Sequence, residues 1–137
     1  CELVLNQTIT DMDDAELQNE LKRNHIFRFK YVPHFQDKQW AYISFELSGR
    51  KTNKDNMFKD MRLYFYVFCH EDIIETEDGY LRTDLLDERI QYLFNENTDF
   101  GVGKMICVSD DPLTVGEKHY GRSLTFAVAD MSYTPCR

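Results

Sequence analysis

The sequence is short of chain breakers, with three prolines and six glycines in 137 residues. Set against eight tyrosines and ten phenylalanines, that scarcity excludes a low-complexity or unstructured chain and points to a packed, sheet-rich domain. Positive charge is also short: 16 Lys and Arg against 24 Asp and Glu leave a formal charge of -8. A nucleic-acid reader normally carries a basic face that neutralises phosphates, so this chain is not expected to grip nucleic acid, although DNA can pass beside it unheld. No apolar run approaches the roughly 18 to 20 residues of a membrane span, and no signal peptide is visible. No membrane partner is expected, and the product reads as soluble and intracellular. The four cysteines, Cys1, Cys69, Cys107 and Cys136, lack CxxC spacing, which argues against a zinc site or a disulfide scaffold. Cys69 and Cys107 sit in strand-like runs and read as small apolar residues.

What the chain does have is one dominant stretch, Met61 to His70, followed after a turn by Leu81 to Phe94. Met61, Leu63, Phe65, Val67 and Cys69 form one period-2 set and Tyr64, Tyr66 and Phe68 crowd the other, so both faces of this strand need cover. Leu81, Leu85, Leu86, Ile90, Leu93 and Phe94 then recur at helical spacing, which predicts an amphipathic helix over about 81–94 with one buried stripe.

Around this unit the other elements follow in order. Thr10 to Leu17 offers a capping oxygen and acids for a first turn, predicting a shorter N-terminal helix from about Asp13 to Lys22. Ile26 to Val32 reads as an extended segment that stops at Pro33. Gln39 to Ser48 alternates Ala41, Ile43, Phe45 and Leu47 against Tyr42, Ser44, Glu46 and Ser48, a half-buried strand. Gly49 to Lys59 is polar and mostly cationic, too long for an ordinary hairpin loop, and is expected to be a projecting β-hairpin arm. Gly101 to Val108 reads as a strand interrupted at Asp110-Asp111-Pro112. Tyr120 to Asp130 is a last strand with small residues on one face that would let another element approach closely. The expectation is a single α+β domain over residues 1–137, a largely antiparallel sheet with the helices on one face.

Each catalytic pattern fails at a named position. His70-Glu71 begins like a zinc-protease helix, but the second histidine would have to stand at Ile74. Gly101-Val102-Gly103-Lys104 resembles the end of a phosphate loop, but the leading glycine is Thr98 and the magnesium-binding hydroxyl is Met105. Asp11, Asp13 and Asp14 hint at a calcium loop, yet Glu16 stands where the turn needs glycine and Lys22 where the closing acid belongs. The four histidines at 25, 34, 70 and 119 are scattered between elements. No catalytic, metal-binding or cofactor-binding residue is assigned, no cofactor is expected, and the chain is read as not an enzyme.

Four segments in order carry a resemblance: Met61 to His70, Gly79-Tyr80-Leu81-Arg82-Thr83-Asp84, Phe100 to Met105, and Tyr120 to Phe126 with Asp130. Together they resemble the small tail-terminator and neck (head-tail connector) proteins of tailed bacteriophages. The resemblance covers about Tyr31 to Asp130 and no piece is specific alone. It implies a structural virion protein without catalytic residues. Such a protein forms a homo-oligomeric ring, a hexamer, that caps the tail tube and joins it to the head completion proteins. Its partners would be itself, the tail tube protein and the neck proteins, with DNA passing through the lumen. A head-tail adaptor or stopper one layer closer to the head fits the same segments, and a small-ligand module or an enzyme of another kind is the competing class.

The residues expected at the subunit interface are Arg50, Lys51, Asn53 and Lys54 of the arm, the aromatics Tyr64, Tyr66 and Phe68, and Arg82. The aromatics would be covered by self-assembly, and Arg82, in the first turn of a helix where its charge is unfavourable, would be held by an acid such as Glu71 or Asp72.

Overall fold

The structure, a computed structural model, describes residues 2–5, 13–28, 38–51, 58–101 and 103–131. It is α+β, built on one five-stranded sheet in the order β1-β2-β3-β5-β4. The strands are β1 Ile26–Phe27, β2 Ala41–Lys51, β3 Phe58–His70, β4 Ile106–Val115 and β5 His119–Met131. The only parallel pairing in the described sheet is β1 on β2, and β2, β3, β5 and β4 run antiparallel to their neighbours. The helices are α1 Glu2–Leu5, α2 Asp14–Glu20 and α3 Arg82–Phe94.

Strand parity assigns the two faces. Ala41, Leu63, Phe65, Val67, Cys69, Leu124, Phe126 and Val128 point to one side, where Leu86 and Ile90 of α3, Val4 of α1 and Leu21 close the main core. The opposite positions, Tyr42, Tyr66 and Phe68, form a second, smaller cluster against Phe27, Trp40, Tyr64, Leu113 and Val115. Phe27 reaches this cluster from β1, the strand beside β2 in the same sheet, and Trp40 from the residue that enters β2, and Trp40 also carries the Lys38 ammonium 3.9 Å from its ring centroid.

Several sequence expectations are corrected. The N-terminal helix ends at Glu20, capped at its start by the Asp13 carboxylate accepting from Glu16 N–H at 2.7 Å. Leu21–His25 then continues as a wider π-helical turn, which carries Leu21 and His25 into buried positions. Within the expected segment from Ile26 to Val32, strand is found only at Ile26–Phe27, and residues 29–37 lie outside the described set.

The strand expected over Gly101 to Val108 begins at Ile106 and runs on through Asp110-Asp111-Pro112 to Val115. Proline is tolerated there because β4 is the sheet's edge, where a missing N–H removes no ladder bond. A register shift between Cys107 and Ser109 absorbs one extra residue.

The buried stripe of α3 differs from the expected one. Leu86 and Ile90 are buried, but the rest of the stripe is Arg82, Thr83 and Asp87, while Leu81 and Leu93 are 44% and 57% exposed. Arg82 and Asp87 have partners outside the helix. Arg122 of β5 lies under α3, donating to Asp110 Oδ1 at 2.8 Å and standing 3.6 Å from Asp87 and 3.7 Å from Asp84. Burial holds the Asp87 carboxyl above its usual range, and the bond to Asp110 holds the Arg122 guanidinium firmly protonated.

Candidate functional site

The arm is a continuation of the sheet. β2 and β3 stay paired from Ala41 with Cys69 out to Lys51 with Lys59, and β5 follows β3 as far as Met131 opposite Phe58. β4 begins only opposite Ala127, so three strands project past it. The expected interface residues Arg50 and Lys51 occupy the last paired positions of β2, opposite Asp60 and Lys59. Asn53 and Lys54 lie outside the described residues.

The aromatic residues are placed differently from the expectation. Phe68 and Tyr66 are 4% and 8% exposed and Tyr64 is half-buried, so their cover comes from within the chain. Tyr66 donates its hydroxyl to Glu46 at 2.9 Å, and burial together with that carboxylate pushes its phenol up to about 12. Arg82 is also internal, 6% exposed. Its Nε donates to the Ile73 carbonyl at 2.8 Å and its Nη1 to the Leu3 carbonyl at 2.7 Å. Of Glu71 and Asp72, the acids expected for it, Asp72 accepts from Gln39 at 2.6 Å and lies 3.3 Å from His70.

The fold also makes a cluster that sequence reasoning missed. His25, His70 and His119, scattered along the chain, are all buried at one end of the second face around Tyr42 and Phe68. His70 and His119 are direct cross-strand partners with ring centroids 5.1 Å apart. His25 turns its Nδ1 to the Ala41 carbonyl at 2.8 Å and packs on Trp40. A hollow of about 420 Å³ opens beside His119 along the Val115–His119 turn. The period-2 parity of β3 and β5 was readable, but the register that pairs His70 with His119 was not.

Among the described residues, no thiol stands beside these histidines. Cys69 precedes His70 and therefore points to the opposite face, into the main core, where it is fully buried and its thiol is pushed up to about 11. Among the described residues, no group of three or more His, Cys, Asp or Glu is arranged to hold a metal ion. No helix among them is long and apolar enough to cross a membrane.

Burial makes the histidine end sensitive to acid. Desolvation first, then the neighbouring His70, lowers the His119 pKa below its ordinary 6.5, against smaller opposing effects of the Lys38 backbone and Glu71. The unfolded chain therefore takes up the proton before the folded one. The His119 contribution is complete above about pH 6.5 and is lost as pH falls through the depressed folded value. The groups around it are His70, the Glu71 carboxylate, the Lys38 backbone and the rings of Tyr42 and Phe68. Urea midpoints from pH 7.5 to 5.5 should fall more steeply for the natural chain than for His119→Gln; parallel curves would remove this residue from the acid response.

A third feature lies on the helix side. Past the end of α3, Phe45, Leu47, Met61, Leu63, Phe94 and Phe100 line an apolar trough of about 390 Å³. The Phe94 ring in this lining is tilted against Phe65 at 4.8 Å and against Phe100 at 5.4 Å between centroids.

With these elements in place, comparison with known families gives a match: the model of the YomW family aligns with residues 1–128. The chain belongs to the YomW family. That name is a phage-derived one, and the chain is a phage-associated protein. No curated protein matches it. The YomW match runs from α1 to Val128 of β5, so the buried histidines and the trough lie within it, and residues 129–131 at the end of β5 lie beyond it.

Proposed function

We propose that this YomW-family chain is a structural virion protein. It is a subunit of a closed, hexameric ring that caps the tail tube and joins it to the neck, with no enzymatic role. Its partners are further copies of itself, the tube protein and the head completion proteins.

The observation that carries this reading is the hairpin end, where three strands run past β4 and place Arg50, Lys51 and Lys59 at the tip of an otherwise acidic body. A cationic tip on one copy is attracted to the acidic body of the next, and contacts of that head-to-tail kind close into rings when the rotation allows. An acidic lumen would repel DNA phosphates and let a genome pass without sticking. The phage association supplies the setting, and the opposite facing of Cys69 and His70 favours a role without nucleophilic chemistry.

Replacing Arg50, Lys51 and Lys54 together by serine tests this. The triple variant should melt within a few degrees of the natural chain, because hairpin-tip charges contribute little to folding. It should lose oligomeric mass in solution and incorporation into tails. Unchanged assembly would sink the role of the hairpin, and labelled particles viewed by electron microscopy would separate a place on the tube from one in the neck.

A further inference from the structure

Three histidines from separate parts of the chain converge on one short segment. Lys38, Gln39 and Trp40 lead into β2, and the Trp40 ring packs on the second-face cluster. His119 is hydrogen-bonded to the Lys38 backbone. The His70 backbone N–H donates to the Trp40 carbonyl at 3.2 Å. His25 sets its ring against Trp40 at 5.0 Å between centroids and its Nδ1 on the Ala41 carbonyl at 2.8 Å. Gln39 is tied through Asp72: its Nε2 donates to Asp72 Oδ2 at 2.6 Å, and that oxygen lies 3.3 Å from His70 Nδ1. The same His70 Nδ1 accepts from Asp72 N–H at 3.2 Å.

This arrangement needs neutral imidazoles. A nitrogen that accepts a hydrogen bond carries no proton, so protonating His70 Nδ1 breaks its bond from Asp72 N–H. The new N–H then faces the carboxylate oxygen that Gln39 holds, and an imidazolium outcompetes a neutral amide for a carboxylate. At Trp40 the Lys38 ammonium already stands 3.9 Å from the ring centroid, and a charge on His25 would set a second cation against the same ring. His70 and His119 are both buried with centroids 5.1 Å apart, so a charge on either opposes a charge on the other. Of the remaining groups, the exposed Glu71 favours a charge on His119, and Lys118, whose carbonyl accepts from Glu71 N–H at 2.9 Å, is itself exposed. Burial pushes the Tyr42 phenol up to about 12, so it stays uncharged.

We propose that Lys38–Trp40 is an acid-released strap: protonation of the histidine end frees it from the second face and uncovers Tyr42 and Phe68 while the sheet stays paired. Release lets water reach the imidazoles, so the released form takes up protons more readily than the closed one and falling pH favours it. His119 acts in this direction, since desolvation first, and then His70, lowers its pKa in the closed form. Its hold on the strap is complete above about pH 6.5 and is lost as pH falls through the lowered value. The ladders joining β2, β3 and β5 are backbone bonds and carry no imidazole.

Trp40 is the chain's single tryptophan, so its fluorescence reads this segment directly. From about pH 7.5 down to about pH 5, acrylamide quenching of the natural chain should strengthen at least about twofold with far-UV circular dichroism unchanged. Two variants at exposed positions test the cause. Asp72→Asn keeps an acceptor for Gln39 but offers protonated His70 no carboxylate, so its transition should lie at least about half a pH unit lower. Gln39→Ala removes one tie and should show raised quencher access already at about pH 7.5. Emission that dims without a gain in quencher access means that the histidines titrate beside a fixed strap, and overturns the proposal. Access that rises only as the circular dichroism is lost is global unfolding and overturns it too. It is equally overturned if Asp72→Asn and Gln39→Ala both follow the natural chain across the whole range.

Discussion

Gly121→Ala should destabilise the fold by about 4 kcal/mol, the upper end of what single substitutions do. Gly121 lies in β5 between Phe68 of β3 and Leu113 of β4, in the middle of the sheet. A Cβ there would overlap the Val67 carbonyl oxygen and come within 2.6 Å of Phe68 Cα and 2.7 Å of Val67 C. All three are backbone atoms, so no rotamer change relieves the overlap, and β3 and β5 must separate where the aromatic cluster is built. Ser123→Ala, two residues on and facing the same side, is the control and should change stability by less than about 1 kcal/mol. Urea unfolding should show a lower midpoint for Gly121→Ala with the slope retained. A midpoint equal to that of Ser123→Ala would mean that the strands part without cost.

The small-residue face of this last strand was visible in the sequence as a place of close approach. At Gly121 the approaching partner is the neighbouring strand's own backbone. The alternation of β2 and β3 was equally readable, because a strand's two faces differ by parity alone: Leu63, Phe65 and Val67 against Tyr64, Tyr66 and Phe68 are separated as expected. The limits of α3 were readable to within one residue, although Leu81 and Leu93, two of the residues that marked them, are exposed and the buried stripe runs through Arg82, Thr83 and Asp87 as well as Leu86 and Ile90.

What periodicity could not supply was any pairing between distant residues. Arg82 was expected to be held by an acid such as Glu71 or Asp72, and Asp87 was placed among the polar residues between the stripe positions, yet the fold bonds Arg82 to the Ile73 and Leu3 carbonyls and sets Asp87, in the buried stripe, beside Arg122. Tyr66 and Phe68 looked like interface residues because the cover on their face comes partly from Phe27 and Trp40, which no local pattern links to β3. Pro112 looked like an interruption because sequence does not say which strand forms the edge. The trough follows from a mismatch of lengths between α3 and β3, and both lengths were in the sequence; their relative placement was not.

Arg82→Ala should cost about 3 kcal/mol, because it removes the charge-assisted hydrogen bonds to Ile73 and Leu3 and leaves those part-buried carbonyls facing a void. The guanidinium joins three separate pieces of chain. Its own backbone N–H reaches Ile74 at 2.7 Å, its Nε holds the Ile73 carbonyl in the turn after β3, and its Nη1 holds the Leu3 carbonyl of α1. Burial lowers its pKa, an effect the neighbouring Cys69 partly opposes, so the charge is kept at the cost of its hydration and the carbonyls must replace that water. Lysine cannot reproduce the fork, so Arg82→Lys should recover no more than about half of the loss. The damage should be local before it is global: amide exchange in α1 should accelerate in Arg82→Ala under conditions where β3 and β5 remain protected, because α1 is tied to α3 through this side chain. Thermal melting and exchange together decide the matter. If Arg82→Ala leaves the melting temperature and α1 protection unchanged, the side chain is a solvated arginine and its bonds to Ile73 and Leu3 contribute nothing to stability.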